Sequence, residues 1–271
     1  MNLTDISIGI GTWYMGEQAR LHDSEVAAIR HGLDLGLHVV DTAEMYGSGA
    51  AEELVGEAIA GRRDEVFLVT KVLPSNASAR GTRRALEASL RRLRTDHVDL
   101  YLYHWRGGHP LAETVDALEK AVSDGLIGRW GVSNFDMSDM ADLEEIGAVP
   151  AANQILYNLT RRGPEYDLLP YLRSAGIDIM AYSPLEQARL FHGRNGKHLA
   201  GIAADLGVTP ATLALAWVVR DGGIVAIPKT SHRARMEENA AAASLKLDNS
   251  VLAELDVLFA PPTGPEPLEM L

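Results

Sequence analysis

Eight β-type runs alternate with helical segments along nearly the whole chain, and this rhythm limits the fold more than any single motif. The runs occupy residues 7–13, 38–41, 66–71, 98–104, 127–134, 151–158, 177–185 and 223–231. Stretches with helical spacing lie at 22–36, 50–61, 78–93, 111–125, 137–147, 164–176, 195–206, 210–221, 233–245 and 250–258. Polar residues 22–25 offer a helix cap, and Gly36 and Gly61 offer stops. The β-type runs are rich in β-branched residues instead of alternating with polar ones, which marks parallel strands covered on both faces. A doubly wound open sheet and a closed (β/α)8 barrel both meet that description.

The first β-type run separates the two. A dinucleotide-binding open sheet places GxGxxG after its first strand. Here IGIGTWYMG supplies Gly9 and Gly11 but puts Tyr14 in the third position. Eight β-α units in a chain of 271 residues fit a barrel, which typically takes ~250. No Pro/Gly/Ser-rich linker divides the chain. The expectation is an α/β protein with one domain over residues 1–271. It is a single (β/α)8 TIM barrel with extra C-terminal helices before the tail APPTGPEPLEML.

In such barrels the chemistry sits on loops at the carboxyl ends of the strands. Asp41, Lys71 and His104 each end a β-type run, and Tyr46 follows in the loop DTAEMYGSG. Taken singly, each has an ordinary explanation: a loop cap, a lid over apolar side chains, or a hydrogen-bonded core histidine. Lys71 is the least ordinary, because a lysine ending a buried strand is costly to desolvate unless an acid pairs with it. Together the four suit proton donation to a carbonyl oxygen. The Lys71 ammonium is expected to lower the phenol pKa of Tyr46, with Asp41 keeping Lys71 charged and a neutral His104 orienting the substrate. A metal site fits poorly: no histidine falls in HxH or HExxH spacing, and a lysine and a tyrosine flank the two possible ligands.

Composition narrows the partners. With 37 acidic against 25 basic residues the formal charge is −12, which gives no reason to expect nucleic-acid binding. An anionic ligand would need a local basic pocket. Lys229, Thr230 and Arg235 provide one, at the end of the last β-type run and the start of the next helix. There is no cysteine, which excludes disulfides and thiol chemistry and suits a reducing cytoplasm. The N-terminus lacks a basic stretch before a long apolar core, so no signal peptide is expected, and no apolar run reaches the ~20 residues of a membrane span. No helix has an apolar face left unoccupied, so a monomer is expected.

The motifs DTAEMYG, VTK, YHW, GRWGVSNF, NQ, AYSPL and IPKTSHRARMEEN, in this order and spacing, resemble the aldo-keto reductases over nearly the whole chain. The resemblance implies a (β/α)8 barrel that uses NADPH, in preference to NADH, without metal. It implies Tyr46 as proton donor, Lys71 and Asp41 as its electrostatic support, and His104 as carbonyl orienter. Ser133, Asn134 and Gln154 match the positions that hold the nicotinamide carboxamide, and Tyr182 the ring that stacks on it. Lys229, Thr230 and Arg235 match the grip on the adenosine 2′-phosphate, and Glu238 and Asn239 the adenine contacts. Gly11, Thr12, Trp13, Asp41, Ser183, Leu185 and Ile227 complete the expected coenzyme contacts.

The segments WRGGHP and EQARLFHGRNG and the C-terminal tail are short for that family, which implies a shallow, open substrate pocket. Trp13, Tyr14, Met45, Tyr46, His104 and Trp105 are its expected lining. The HWRGGHP segment resembles small bacterial members that reduce methylglyoxal and similar aldehydes. A redox-sensing, coenzyme-binding regulatory subunit is the alternative, and it would show a degraded catalytic set or added interaction segments.

Overall fold

A computed structural model describes residues 3–271 of the chain. Eight parallel strands follow one another around a single sheet in sequence order. They are β1 (Ile10–Gly11), β2 (Val39–Asp41), β3 (Phe67–Val72), β4 (Val98–Tyr103), β5 (Ile127–Ser133), β6 (Ala152–Leu156), β7 (Asp178–Tyr182) and β8 (Ile224–Ala226). A parallel bridge between Ile8 and Ala226 closes the sheet on itself, supported by Gly9 N to Ala226 O at 2.8 Å and Ala226 N to Ser7 O at 2.9 Å. The expected barrel is thus observed.

Side-chain alternation explains how the strands build both the core and the rim. Inside the barrel, Val39, Phe67, Val69, Leu100, Leu102, Ala152, Met180, Val225 and Ile227 form one apolar cluster. Outward residues such as Val40, Leu68, Tyr101, Val132, Ile155 and Ala181 belong to a second layer under the helices. With a period of two, the inward column of β2 runs Val39 to Asp41, that of β3 runs Val69 to Lys71, and that of β4 runs Leu102 to His104. Each apolar column therefore ends, one step past the core, on a polar side chain. That step is what carries the chemistry to the carboxyl rim.

The helices wrap this barrel as α1 (His22–Asp34), α2 (Ala50–Ala58), α3 (Ala79–Leu93), α4 (Leu111–Ser123), α5 (Met137–Glu145), α6 (Leu168–Ser174), α7 (Gly193–Asp205), α8 (Pro210–Val218), α9 (Arg233–Ala241) and α10 (Asn249–Leu258). Helices α1 to α4 pack on one another in order, as do α7 to α9, and α9 packs against α1. The additional helices are α7, inserted between β7 and β8, and α10, and these two pack on each other.

Several boundaries differ from the sequence reading, for physical reasons. β1 covers two residues, and its Gly11 runs so close to the segment after β8 that a Cβ there would stand 2.6 Å from the Ile227 carbonyl oxygen. β8 stops before Pro228, which has no N–H for a ladder. The expected helix at 164–176 splits into a short 3-10 turn at Gly163–Glu165 and α6, with Asp167 at φ −137 between them. No side chain caps α1. Glu25 instead accepts from Gly16 N at 2.9 Å, tying the helix to the loop after β1.

Candidate active site

Lys71 is fully buried at the end of β3, and all three of its ammonium protons are used. Nζ donates to Asp41 Oδ2 at 2.8 Å, to the Thr42 carbonyl at 2.9 Å and to the Tyr46 hydroxyl at 3.1 Å. The turn that delivers Tyr46 needs left-handed backbone at Gly47 (φ 55), Ser48 (φ 54) and Gly49 (φ 99), and two of these three are glycines. The His104 ring meets Tyr46 edge-on, with centroids 6.0 Å apart. The three strand-end residues of the sequence reading and the loop residue Tyr46 therefore form one cluster.

Their electrostatics follow from burial. Asp41 and the Tyr46 phenol hold Lys71 above the ordinary lysine range, although desolvation opposes this. For Tyr46 the expected downward shift is corrected. Desolvation is the largest influence and raises its pKa, while Lys71 only moderates the rise. The phenol is thus protonated at neutral pH and ready to donate. Burial, and secondarily Lys71, push His104 down to about 2, so its imidazole is neutral. Its Nδ1 is buried and has no partner among the described residues.

A hydrogen-bonded chain continues this cluster around the rim. Gln154 Nε2 donates to Asp41 Oδ1 at 2.7 Å, so both carboxylate oxygens of Asp41 are engaged. Ser133 Oγ donates to the Gln154 carbonyl at 2.9 Å, and Asn134 Nδ2 donates to Ser133 Oγ and to the His104 carbonyl, both at 3.1 Å. Tyr182 donates to Asn134 Oδ1 at 2.8 Å. The residues expected to hold a carboxamide and those expected to move a proton thus share one network, reaching across the barrel from β2 to β6.

Above this floor runs an elongated cavity of ≈ 650 Å³. Trp13, Tyr14, Tyr46 and Tyr182 line it beside the buried cluster, and Lys229, Thr230, Arg235, Glu238 and Asn239 line it where β8 leads into α9; Leu185 and Ile227 line it as well. Gly11, Thr12, Asp41 and Ser183 also face it. Trp13 stacks on Tyr14 with centroids 4.6 Å apart. Of the expected substrate residues, Met45, His104 and Trp105 lie outside this lining; Met45 is exposed beside Tyr46, His104 is buried behind Tyr46, and Trp105 packs on His104 at 4.7 Å. Sequence reading missed Pro184, Gln187, Ala188, Phe191, Thr209, Pro210, Ala211 and Pro228 of the lining. Only the adjacency of some of them to AYSPL and IPKTS hinted at this.

The far end of the cavity is electrostatically open. Lys229 and Arg235 are exposed and make no salt bridge among the described residues. α9 starts at Arg233 without a side-chain cap from His232, leaving backbone amides free at its N-terminus. Two unpaired cations and free amides in a chain of charge −12 make a local anion site.

A closed parallel barrel with an Asp–Lys–Tyr–His cluster beside a long cavity defines an oxidoreductase of one class. The chain belongs to the aldo/keto reductase family, which it matches over residues 7–259. It is 48% identical over 269 residues to methylglyoxal reductase YeaE of Escherichia coli K12, covering 98% of this chain and 95% of that protein. It is 32% identical over 268 residues to glyoxal reductase of Bacillus subtilis 168, covering 97% and 92%. Among solved structures, an aldo-keto reductase from Klebsiella pneumoniae in complex with NADPH aligns with a TM-score of 0.94 at 49% identity, over 98% of this chain and 95% of that one.

Proposed function

We propose that this chain reduces small aldehydes, ketones and dicarbonyls of the methylglyoxal kind to alcohols with NADPH. The observation that carries the reading is the buried Asp41–Lys71–Tyr46 contact chain, with Tyr46 lining the cavity. The cavity suits a phosphorylated dinucleotide, since its length joins that cluster to the unpaired cations Lys229 and Arg235. A 2′-phosphate would meet the Arg235 fork and the α9 amides, which favours NADPH over NADH.

The chemistry that a bound nicotinamide supplies is hydride donation. The protein's own residues manage the proton. Tyr46, protonated at neutral pH, gives its proton to the carbonyl oxygen. Lys71 stabilises the phenolate that remains, and Asp41 keeps Lys71 charged. Neutral His104 donates a hydrogen bond to the same oxygen; with Nδ1 buried and without a partner among the described residues, Nε2 is the nitrogen left to do so. The phenolate then regains a proton from solvent. Ser133, Asn134 and Gln154 orient the carboxamide, Tyr182 stacks beside it, and Glu238 and Asn239 face the adenine. Trp13, Tyr14, Met45 and Trp105 shape the entrance for the carbonyl compound.

The same reading takes residues 1–271 as one domain acting as a cytoplasmic monomer on small molecules. Among the described residues no single helix is long and apolar enough to cross a membrane. The test is consumption of NADPH absorbance with methylglyoxal and a panel of aromatic aldehydes. Turnover with the panel supports the reductase, whereas tight NADPH binding without turnover on any member would favour a regulatory subunit.

A further inference from the structure

Glu186 is a carboxylate with no part in proton transfer or phosphate binding, yet it is only 4% exposed in the loop after β7. Around it, four non-glycine residues have left-handed backbone: Ser183 (φ 45), Glu186 (φ 49), Gln187 (φ 53) and Ala188 (φ 68). L-residues avoid that region, so local propensity does not hold this loop in place. Side chains do. Asn158 Nδ2 donates to Glu186 Oε2 at 2.8 Å and to the Ser183 carbonyl at 3.0 Å. Arg161 Nη2 and Arg189 Nη2 donate to Glu186 Oε1 at 3.0 and 2.8 Å. The loop so fixed supplies Leu185, Gln187, Ala188 and Phe191 to the cavity wall.

The other arm of Arg161 reaches a different segment, where Nη1 donates to Glu269. Glu269 belongs to the last stretch of the chain, which crosses the rim. Glu266 flanks Gly163, Leu268 packs against the outer apolar layer, and the Leu271 backbone approaches the Tyr182 hydroxyl. Tyr182 itself lines the reacting end of the cavity. One guanidinium therefore grips both the loop over the cavity and the tail that ends beside Tyr182.

We propose that Arg161 is a positioning residue that couples coenzyme binding at the loop of residues 183–191 to the placement of the tail at the substrate side. The idea rests on the coenzyme reading above. Arginine suits the task because its planar fork serves two carboxylates at once, which a lysine point charge does not. Loop contacts with coenzyme would firm up Glu186, Glu186 would fix Arg161, and Arg161 would hold Glu269.

Hydrogen exchange followed by mass spectrometry on the full chain, with and without NADPH, tests this, using wild type and Glu269→Gln. The Glu269 side chain is 53% exposed, so the substitution breaks one arm without disturbing the core. In wild type, NADPH should slow exchange about threefold or more both at 183–191 and in the tail at 260–271. In Glu269→Gln the loop should keep its protection and the tail should lose it. Protection at 183–191 and 229–239 with none in the wild-type tail would overturn the coupling while leaving the coenzyme reading intact. Tail protection undiminished in Glu269→Gln would do the same. No protection anywhere would overturn both.

Discussion

The two ends of the cavity are built on opposite principles. At the reacting end, Lys71 is fully buried, Asp41 is 2% exposed, and every ammonium proton and both carboxylate oxygens already have partners. At the phosphate end, Lys229 and Arg235 stand exposed, with no salt bridge among the described residues. A proton transfer depends on small differences in distance and pKa, so its groups are fixed in advance at the expense of desolvation. Charge recognition tolerates looser geometry, so its groups stay hydrated until an anion arrives. The contrast predicts that substitutions at the first end damage both fold and chemistry, while those at the second change coenzyme affinity alone.

Lys71→Met breaks the contrast hardest. It leaves Asp41 as a buried charge without its ion-pair partner, which costs about 3–5 kcal/mol of stability. Denaturant unfolding should show that loss, together with the collapse of carbonyl reduction. Arg235→Ala sharpens the comparison from the other side. A charge-assisted hydrogen bond is worth ~1.5–3 kcal/mol, and exposure at this site favours the lower figure, so NADPH affinity should fall about tenfold. NADH affinity and the unfolding midpoint should not move. Equal loss for both coenzymes would show that Arg235 does not read the phosphate.

His104 gives a smaller, pH-dependent effect. Its folded pKa is depressed to about 2 against an ordinary 6.5, so below pH 6.5 the unfolded chain takes up a proton that the folded protein refuses. Stability should therefore fall as pH drops below 6.5, with this one group contributing up to about 1.4 kcal/mol per pH unit. Urea titrations of wild type and His104→Gln between neutral and acid pH should show a shallower slope in the variant. Parallel slopes would mean that His104 is not held neutral by burial.

The reacting end was largely legible in the sequence because its residues terminate apolar inward columns, and that pattern survives in one dimension. Asp41, Lys71 and His104 fell where the β-type runs suggested, and DTAEMYG carried Tyr46. What burial does to Tyr46 was not legible. A neighbouring lysine is visible in a sequence, but the depth of the site that outweighs it is not. Gln154 was placed by resemblance, yet its bond to Asp41, 113 residues away, exists only once the barrel closes. The loop after β7 hid most completely. Gln187 and Ala188 adopt left-handed backbone that neither residue signals, and the Glu186–Arg161–Glu269 links that hold it join three separate segments.

The claim on which the rest depends is that Tyr46 donates the proton from a preassembled cluster. Tyr46→Phe removes one hydroxyl and leaves Lys71 bonded to Asp41 and the Thr42 carbonyl. Steady-state reduction of methylglyoxal by this variant, alongside fluorescence titration with NADPH, is the direct measurement. The account predicts that kcat falls about 10²–10⁴-fold with NADPH affinity essentially unchanged. Turnover at the wild-type rate would contradict it.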